Sequence, residues 1–406
     1  MKYLYLILTC ISVLNLQNGF TVFGLSSLII EQIGYLIRFA VYCFAIFYIK
    51  DNFKNFKIVF MNNKSMLYVF CLVFMSCFWA WNIKLSLYMF LTFFMLSLTA
   101  ISLTILFQIK DFLKFFSVSF FVVLILSVII NNRLLLTGGG TGSVVDFYWS
   151  GIYSNSNTLG IYSCVAMLIL FFSLNFIKFY ISYRFLFLGL SAYCVILSNS
   201  RTSFFVMFII AAYAFFQIFN KYINKYRLIF ATCVIIFLSI IFIFNFETLY
   251  IHYLNYESSI GKSNLSGRDY LWSLAYKSIV REPLFGYGYQ AFWHGWDGPS
   301  AVIWSYMPYY KASHSHNGFI EIVLSVGFVG LLLFLINMFY SLKYAYSFKY
   351  GNCNYLLLFF IIFILVNFTE TGVLSNSMIW FMYTYFSYYA HTKYNSISFS
   401  NSKSQI

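Results

Sequence analysis

Two histidines separated by one serine stand just before a long apolar run, at His314-Ser315-His316. An imidazole exchanges a proton near neutral pH, so a histidine at the mouth of a helix can serve as a general base. The alternative is that His316 only caps the helix or marks an interface, with His314 as a neighbour and Asn317 as a supporting residue. A His-x-His pair can also bind a metal ion, but no third ligand lies nearby in the sequence, so we expect no metal here.

Three arginines are candidate binding groups for an anion. Arg201 lies in the turn Ser200-Arg201-Thr202-Ser203, where hydroxyls and a guanidinium at a helix start form a good phosphate cradle. The competing interpretation is an arginine that only reaches toward the membrane surface. Arg268 and Arg281 are two further candidates in a later segment.

Several charged and amide side chains elsewhere in the sequence are candidates for supporting roles. Arg38 lies midway along an apolar run with Glu31 seven residues earlier, which favours a structural ion pair because an isolated charge there is costly. Glu321, a turn after His316, can orient that histidine or pair with an arginine. Three polar residues can meet sugar hydroxyls or merely bound a turn: Asp146, Asn155 and Asn157.

The segment that begins at Ser266 has the pattern of a short amphipathic helix. Ser266 can cap it with Asp269 three residues on, and Pro283 ends it. Its apolar face is formed by Leu271, Leu274, Ala275, Ser278 and Ile279. The turn Gly286-Tyr287-Gly288-Tyr289 and several tryptophans follow. Two compatible interpretations are a helix lying on the membrane and a lid over a lipid-facing cavity.

The composition predicts where such residues sit. Of 406 residues, 62% are apolar and 9% charged, whereas soluble domains carry about 25% charged residues. This excludes a soluble enzyme, a disordered chain and a fibrous repeat, and it predicts an all-α polytopic membrane protein. The net charge of +14 does not indicate nucleic acid, because most basic residues flank apolar runs.

Twelve apolar runs are long enough to be membrane-spanning candidates. They lie near 2–18, 28–49, 65–81, 85–107, 113–131, 157–176, 183–199, 202–219, 228–246, 316–341, 354–370 and 373–391. The resulting division is nine spans over 1–246, a long outer segment over 247–315 with the short helix, three spans over 316–391 and a tail over 392–406.

Basic residues predict the orientation. With both termini inside, the short outer loops hold Lys84, Arg133 and Arg201, three residues against sixteen on the inner side. The sixteen are Lys2, Lys50, Lys54, Lys57, Lys64, Lys110, Lys114, Lys178, Arg184, Lys221, Lys225, Arg227, Lys343, Lys349, Lys393 and Lys403. The histidines then face outward.

Four motifs resemble those of the O-antigen ligase and O-antigen polymerase superfamily, and they follow one another along the chain in the order found in that superfamily. His316-Asn317-x9-Gly327-x-x-Gly330 is similar to its H-N-x9-G-x-x-G signature, and Ser200-Arg201-Thr202-Ser203 to its arginine turn. Gly267-Arg268-x-x-Leu271-Trp272 with Pro283-Leu284-x-Gly286-x-Gly288 and Phe292 resembles its outer-loop pattern. Asn155-Ser156-Asn157 resembles its N-P-N segment, with Ser156 in place of proline.

The resemblance implies a metal-independent glycosyltransferase without cofactor, in a bacterial inner membrane with its site facing the periplasm. The long outer segment between spans nine and ten would then be periplasmic. Arg201 and Arg268, with Arg281 less firmly aligned, would bind the diphosphate of a polyprenyl-diphosphate-linked glycan. His316 would deprotonate the acceptor hydroxyl, with His314, Asn317, Glu321 and Arg38 as supporting residues.

Three functions remain open at this point. A polymerase joins repeat units of O-antigen, capsule or exopolysaccharide, and a chain-length regulator is a candidate partner. A ligase passes the glycan to lipid A core. A flippase for the lipid-linked unit is the alternative from another class, but it would want charges along a path through several spans. We favour the polymerase, because the bias toward Phe, Tyr, Ile, Asn and Lys resembles acquired polysaccharide clusters.

Overall fold

In the computed structural model the described residues are 1–23, 26–136, 149–153, 155–174, 178, 180–220, 268–307, 311–348 and 354–403. They form helices joined by turns, and no strand occurs among them. The helices are α1 Lys2–Val13, α2 Ser27–Asp51, α3 Phe53–Asn62, α4 Lys64–Ser76, α5 Ile83–Leu106, α6 Ile109–Leu136, α7 Ser156–Ser173, α8 Ile181–Leu197, α9 Arg201–Asn220, α10 Arg268–Ile279, α11 Ala301–Tyr306, α12 Gly318–Ser347, α13 Tyr355–Asn367 and α14 Met378–Lys403.

Five of these helices are long and apolar enough to cross a membrane. They are Ser27–Asp51, Ile83–Leu106, Ile109–Ile130, Ser156–Ser173 and Gly318–Ser347. The bent pair α3 and α4 adds a sixth if it forms one span. The all-helical polytopic class is thereby confirmed. The total of twelve spans stays a prediction, and the ninth span, near 228–246, lies outside the described residues.

The break between α3 and α4 lies at Asn63, where the chain bends by 91°. The buried Asn63 amide donates to Ser387 Oγ of α14 at 2.9 Å and accepts from the Asn337 amide of α12 at 2.7 Å. Inside a membrane, lipid tails are as apolar as the helices, so apolar contact alone does not drive helices together. Hydrogen bonds between buried side chains then contribute to their association. This network therefore joins the bend to the two helices that lead from the candidate site.

Helix α12 is interrupted at Gly327, whose φ of 69° and ψ of −173° are not helical. The chain around Gly286 fills the interruption. Tyr287 N donates to Leu324 O at 2.8 Å, and Phe328 N donates to Pro283 O at 2.8 Å. A buried backbone group without a partner is costly, especially at membrane depth, so the inserted segment replaces hydrogen bonds that the helix has lost.

Glycine is required at this crossing. A β-carbon on Gly327 would lie 2.0 Å from Leu284 O, and one on Gly286 would lie 2.7 Å from Leu324 O. Both residues also have positive φ. Gly327 of the signature and Gly286 of the outer-loop pattern thus allow the close approach of the inserted chain segment to α12.

The short amphipathic helix appears as α10, and its expected apolar face is buried. Leu271, Leu274 and Ala275 are each at most 3% exposed and pack with Val323 and Leu324 of α12. The predicted cap Ser266 lies outside the described residues. The apolar face of α10 therefore packs on the start of α12.

The two charges of α2 are linked through an intervening tyrosine. Tyr35 donates to Glu31 Oε1 at 2.9 Å, and the Arg38 guanidinium lies over the Tyr35 ring at 5.4 Å from its centre. Between these described side chains the contact is therefore a cation–π and hydrogen-bond chain, not the direct ion pair expected from their spacing.

Candidate active site

The histidine loop over 314–317 lies where the start of α12 meets the turn between α13 and α14. Gly318 N donates to Glu370 O at 3.1 Å, and the Asn317 amide donates to Phe368 O at 3.1 Å. A β-carbon on Gly318 would lie 2.4 Å from Asn367 Oδ1. The close fit of these two turns brings the segments before α12 and after α13 into one cluster.

His316 has a left-handed backbone conformation, with φ of 53°. This conformation is uncommon for a residue with a side chain and persists where surrounding contacts enforce it. Asn317 supplies one such contact, because its side-chain oxygen caps α12 by accepting from Phe319 N at 3.0 Å and Ile320 N at 3.1 Å. The cap fixes where the helix begins and therefore where His316 projects.

Ser315 is held from both sides. Trp272 of α10 donates its indole N–H to Ser315 O at 2.7 Å, and the Glu321 carboxylate accepts from Ser315 N. Glu321 also accepts from the Trp293 indole, at 3.0 Å for each oxygen. Glu321 thus orients the backbone beside His316 and ties it to Trp293 of the outer segment.

Glu370 joins three side chains that come from distant parts of the sequence. Its Oε1 accepts from Arg268 Nη2 at 3.1 Å and from the Asn157 amide at 2.7 Å. Its Oε2 lies 3.7 Å from Nδ1 of His316. The carboxylate is only 13% exposed, so these contacts are weakly screened by water. Arg268 also donates to Thr369 O at 2.6 Å.

The turn that carries Glu370 is shaped by Asn367. The Asn367 side-chain oxygen accepts from Gly372 N at 2.8 Å and Val373 N at 2.9 Å, while its amide donates to Phe363 O at 2.7 Å. This buried side chain closes the turn through three hydrogen bonds. It thereby shapes the backbone that carries the Glu370 carboxylate.

Arg201 is the first residue of α9 and comes close to the same turn. Its neighbour Thr202 donates to Thr369 Oγ1 at 2.8 Å, which links the start of α9 to the residue before Glu370. The Arg201 side chain is exposed. The backbone of Arg201 therefore lies one residue from a contact with the turn that carries Glu370.

His314 lies against His316, with 4.0 Å between the ring centres. Burial, with a smaller contribution from the neighbouring His316, lowers the pKa of His314 to about 4. His314 is therefore uncharged at neutral pH and adds no positive charge of its own beside His316.

Two predicted site residues lie apart from this cluster. Arg281 follows the far end of α10, a helix of 12 residues or about 18 Å at 1.5 Å per residue, whereas Arg268 is its first residue. Arg38 lies on α2, where it contacts the Tyr35 ring instead of this cluster. Asn157, expected only to meet a sugar or bound a turn, is in the cluster through Glu370. Asp146 lies outside the described residues.

Glu370 is the residue that sequence reasoning missed. One signal for it exists, since Glu370 is an acidic residue between two apolar runs, on the side where the histidines are predicted to lie. A cluster of a carboxylate, an imidazole and guanidiniums at one end of a bundle can bind a phosphorylated ligand and move a proton beside it.

Known proteins are similar to this chain over part of its length. A family model described as O-antigen ligase matches residues 186–335, which include Arg201, Arg268 and His316. Over these residues the chain is similar to the O-antigen ligase family, in line with the superfamily resemblance of its motifs. It is also 38% identical over 73 residues to the exopolysaccharide production protein ExoQ of Rhizobium meliloti (strain 1021), a match that covers 18% of this chain and 17% of that relative.

Within the superfamily match, the two arginines and the histidine come from α9, α10 and the start of α12. Glu370 lies beyond the matched range, although it contacts both Arg268 and His316. The cluster is therefore completed by the part of the chain that follows the superfamily region.

Proposed function

We propose that this protein is a surface-polysaccharide polymerase, a glycosyltransferase that joins polyprenyl-diphosphate-linked repeat units at the outer face of the bacterial inner membrane. The superfamily supports the coarser function, a membrane enzyme of polysaccharide biosynthesis. The observation that carries the proposal is the Glu370 carboxylate between Arg268 and His316, because it places an anion-binding group and a proton acceptor around one centre.

The two guanidiniums serve the donor. Arg201 and Arg268 bind the diphosphate of the lipid-linked glycan, and Arg268 is oriented for this by Glu370 and Thr369 O. As the glycosidic bond breaks, negative charge grows on the leaving diphosphate, and preorganised positive groups stabilise it without rearranging. Arg281 is placed outside this role because it lies at the other end of α10.

His316 serves the acceptor. Its imidazole takes the proton of a sugar hydroxyl, and that oxygen attacks the anomeric carbon from the side opposite the diphosphate. The carbon–oxygen bond to the diphosphate breaks with its electron pair, so the configuration at the anomeric carbon inverts. The Glu370 carboxylate at 3.7 Å stabilises the imidazolium that forms. No metal is part of this step.

A ligase is the closest alternative. Its chemistry at the donor is the same, and it is favoured by the description of the matching family model. We place the polymerase first because the curated relative is named for exopolysaccharide production and because of the residue bias noted above. A flippase is disfavoured because the charged side chains of the cluster gather at the ends of α9, α10 and α12 instead of along a path.

Deletion of the gene in its host tests the proposal. Surface lipopolysaccharide and polyprenyl-linked glycans are extracted in parallel and sized. We expect single repeat units to replace long chains, on the lipopolysaccharide core or in the capsule or exopolysaccharide. A bare core with long glycan still on the carrier would instead identify the ligase.

A third result would contradict both transferase assignments. If single units accumulate on the inner side of the membrane only, the missing step is transport across the bilayer. A plasmid copy of the intact gene restores the original pattern in each case and serves as the control for effects on neighbouring genes.

A further inference from the structure

His314, His316 and Glu370 form a cluster of metal-ligand type. One ligand atom from each of the three residues lies within 4.8 Å of the others. Glu370 is the third member of this cluster, and the turn between α13 and α14 brings it beside the two histidines.

Two imidazole nitrogens and one carboxylate oxygen are the donor set of zinc sites that keep a fourth position open. Zinc–ligand bonds of about 2.0–2.2 Å put the ligand atoms roughly 3.3–3.5 Å apart, so small side-chain rotations would close the cluster around the ion. The 3.7 Å between Glu370 Oε2 and His316 Nδ1 is already near this spacing.

The two oxygens of Glu370 face different partners. Oε1 accepts from Arg268 and Asn157, whereas Oε2 faces His316. One oxygen is thus directed at the histidines while the other is engaged. The Arg268 charge beside the carboxylate opposes a cation, so we expect micromolar binding rather than the tight binding of structural zinc.

We propose that His314, His316 and Glu370 bind Zn²⁺ and that the bound ion inhibits glycan transfer. The inhibitory half of this proposal rests on the proposed function. A zinc ion takes the imidazole lone pair of His316 that would otherwise accept the proton of the acceptor hydroxyl. It also occupies the Glu370 oxygen that faces His316, so this oxygen no longer stabilises an imidazolium. The enzyme works without the ion and stops when the ion is bound.

Binding is tested on the full chain in lipid nanodiscs, purified without a polyhistidine tag and stripped with EDTA. Zn²⁺ is titrated in competition with a chromophoric chelator. We expect one micromolar site per chain and at least a roughly tenfold loss of affinity in His314→Gln and in Glu370→Gln. His294→Gln is the matched control and keeps the wild-type affinity, because His294 contacts Trp81 instead of this cluster.

Inhibition is tested separately, in membrane vesicles of the host that contain the natural donor. We expect Zn²⁺ to stop chain growth over the concentration range in which it binds, and EDTA to restore it. In vesicles that contain the His314→Gln variant, the Zn²⁺ concentration that halves chain growth rises by the same factor as the dissociation constant for Zn²⁺. Each variant is first checked for a monodisperse elution profile.

The outcomes separate this proposal from the proposed function. Absence of a saturable site in the wild-type chain, or equal affinity in all variants, overturns the zinc site whatever the glycan results are. Binding with undiminished chain growth overturns its inhibitory role. Visible absorption typical of four-coordinate Co²⁺ with nitrogen ligands in the wild-type chain supports the site even where a variant fails to fold.

Discussion

The Glu370 carboxylate lies 3.7 Å from Nδ1 of His316, although the two residues stand on either side of helices α12 and α13. The same carboxylate accepts a hydrogen bond from Arg268. One acidic side chain therefore connects the candidate base to the candidate donor-binding group.

Removal of the Glu370 charge tests this connection. In Glu370→Gln the size of the side chain is kept, but the imidazolium and Arg268 lose their counter-charge. We expect the rate of chain growth to fall about 10- to 100-fold, less than the roughly 100- to 10,000-fold that the proton-transferring group itself contributes. Glu370→Asp, which keeps the charge, should retain more activity.

The control for this change is Glu282→Gln, an exposed carboxylate that follows α10. Growth rate is measured in vesicles with equal amounts of each variant. Equal activity of Glu370→Gln and Glu282→Gln would remove Glu370 from the account.

Substitution of Arg268 and of Arg281 tests the assignment of the donor site. Arg268→Lys keeps a positive charge but loses the planar fork that reaches both Glu370 and Thr369 O. We expect kcat/KM for the lipid-linked donor to fall by roughly tenfold or more, since paired guanidinium contacts are charge-assisted and directional. Arg281→Lys should leave it near the wild-type value. The reverse pattern would move the diphosphate to the far end of α10.

The crossing at Gly327 makes a prediction about stability. Gly327→Ala brings a β-carbon to 2.0 Å from Leu284 O at a φ of 69°, so we expect a cost above about 3 kcal/mol. The melting temperature in detergent should fall sharply. Gly189→Ala is the control, because nothing lies within 4 Å of its β-carbon on α8, and alanine there can add up to about 1 kcal/mol. Similar melting temperatures for the two variants would argue against the inserted segment.

The predicted orientation can be tested at the two ends of α12. Beyond the interruption at Gly327 the helix continues over 328–347, 20 residues or about 30 Å at 1.5 Å each, which matches a hydrocarbon core of roughly 30 Å. Ser313→Cys before it and Ser347→Cys at its end should therefore lie on opposite sides. We expect a membrane-impermeant maleimide to label position 313 in cells with a permeable outer layer, and position 347 only after lysis. Labelling of position 347 alone in such cells would contradict the predicted orientation and indicate the opposite one.

Much of the fold and part of the site follow from the sequence. Long apolar runs dictate helices, and the spacing of Leu271, Leu274 and Ala275 predicts the buried face of α10, which is confirmed. Sequence motifs point to Arg201, Arg268 and His316, because each of these residues stands beside other residues of a motif. Their placement at adjacent helix ends needs the fold.

The remainder depends on contacts that local patterns do not encode. Glu370 is an isolated acid in a short turn, and only the meeting of two turns brings it to His316. No proline in α12 indicates its break at Gly327. The segment that fills the break contains Pro283 and Leu284, far upstream of Phe328. Arg38 and Glu31 have helical spacing for a pair, but Tyr35 occupies the position between them.

The central claim is that His316 takes the proton of the acceptor sugar. We would express His316→Gln in the deletion host, with His294→Gln as the control, and measure the length of carrier-linked and surface glycans. The account predicts at least a roughly 100-fold loss of chain growth for His316→Gln, with single units accumulating and with normal amounts of protein in the membrane. Chains of wild-type length and amount in His316→Gln would contradict it.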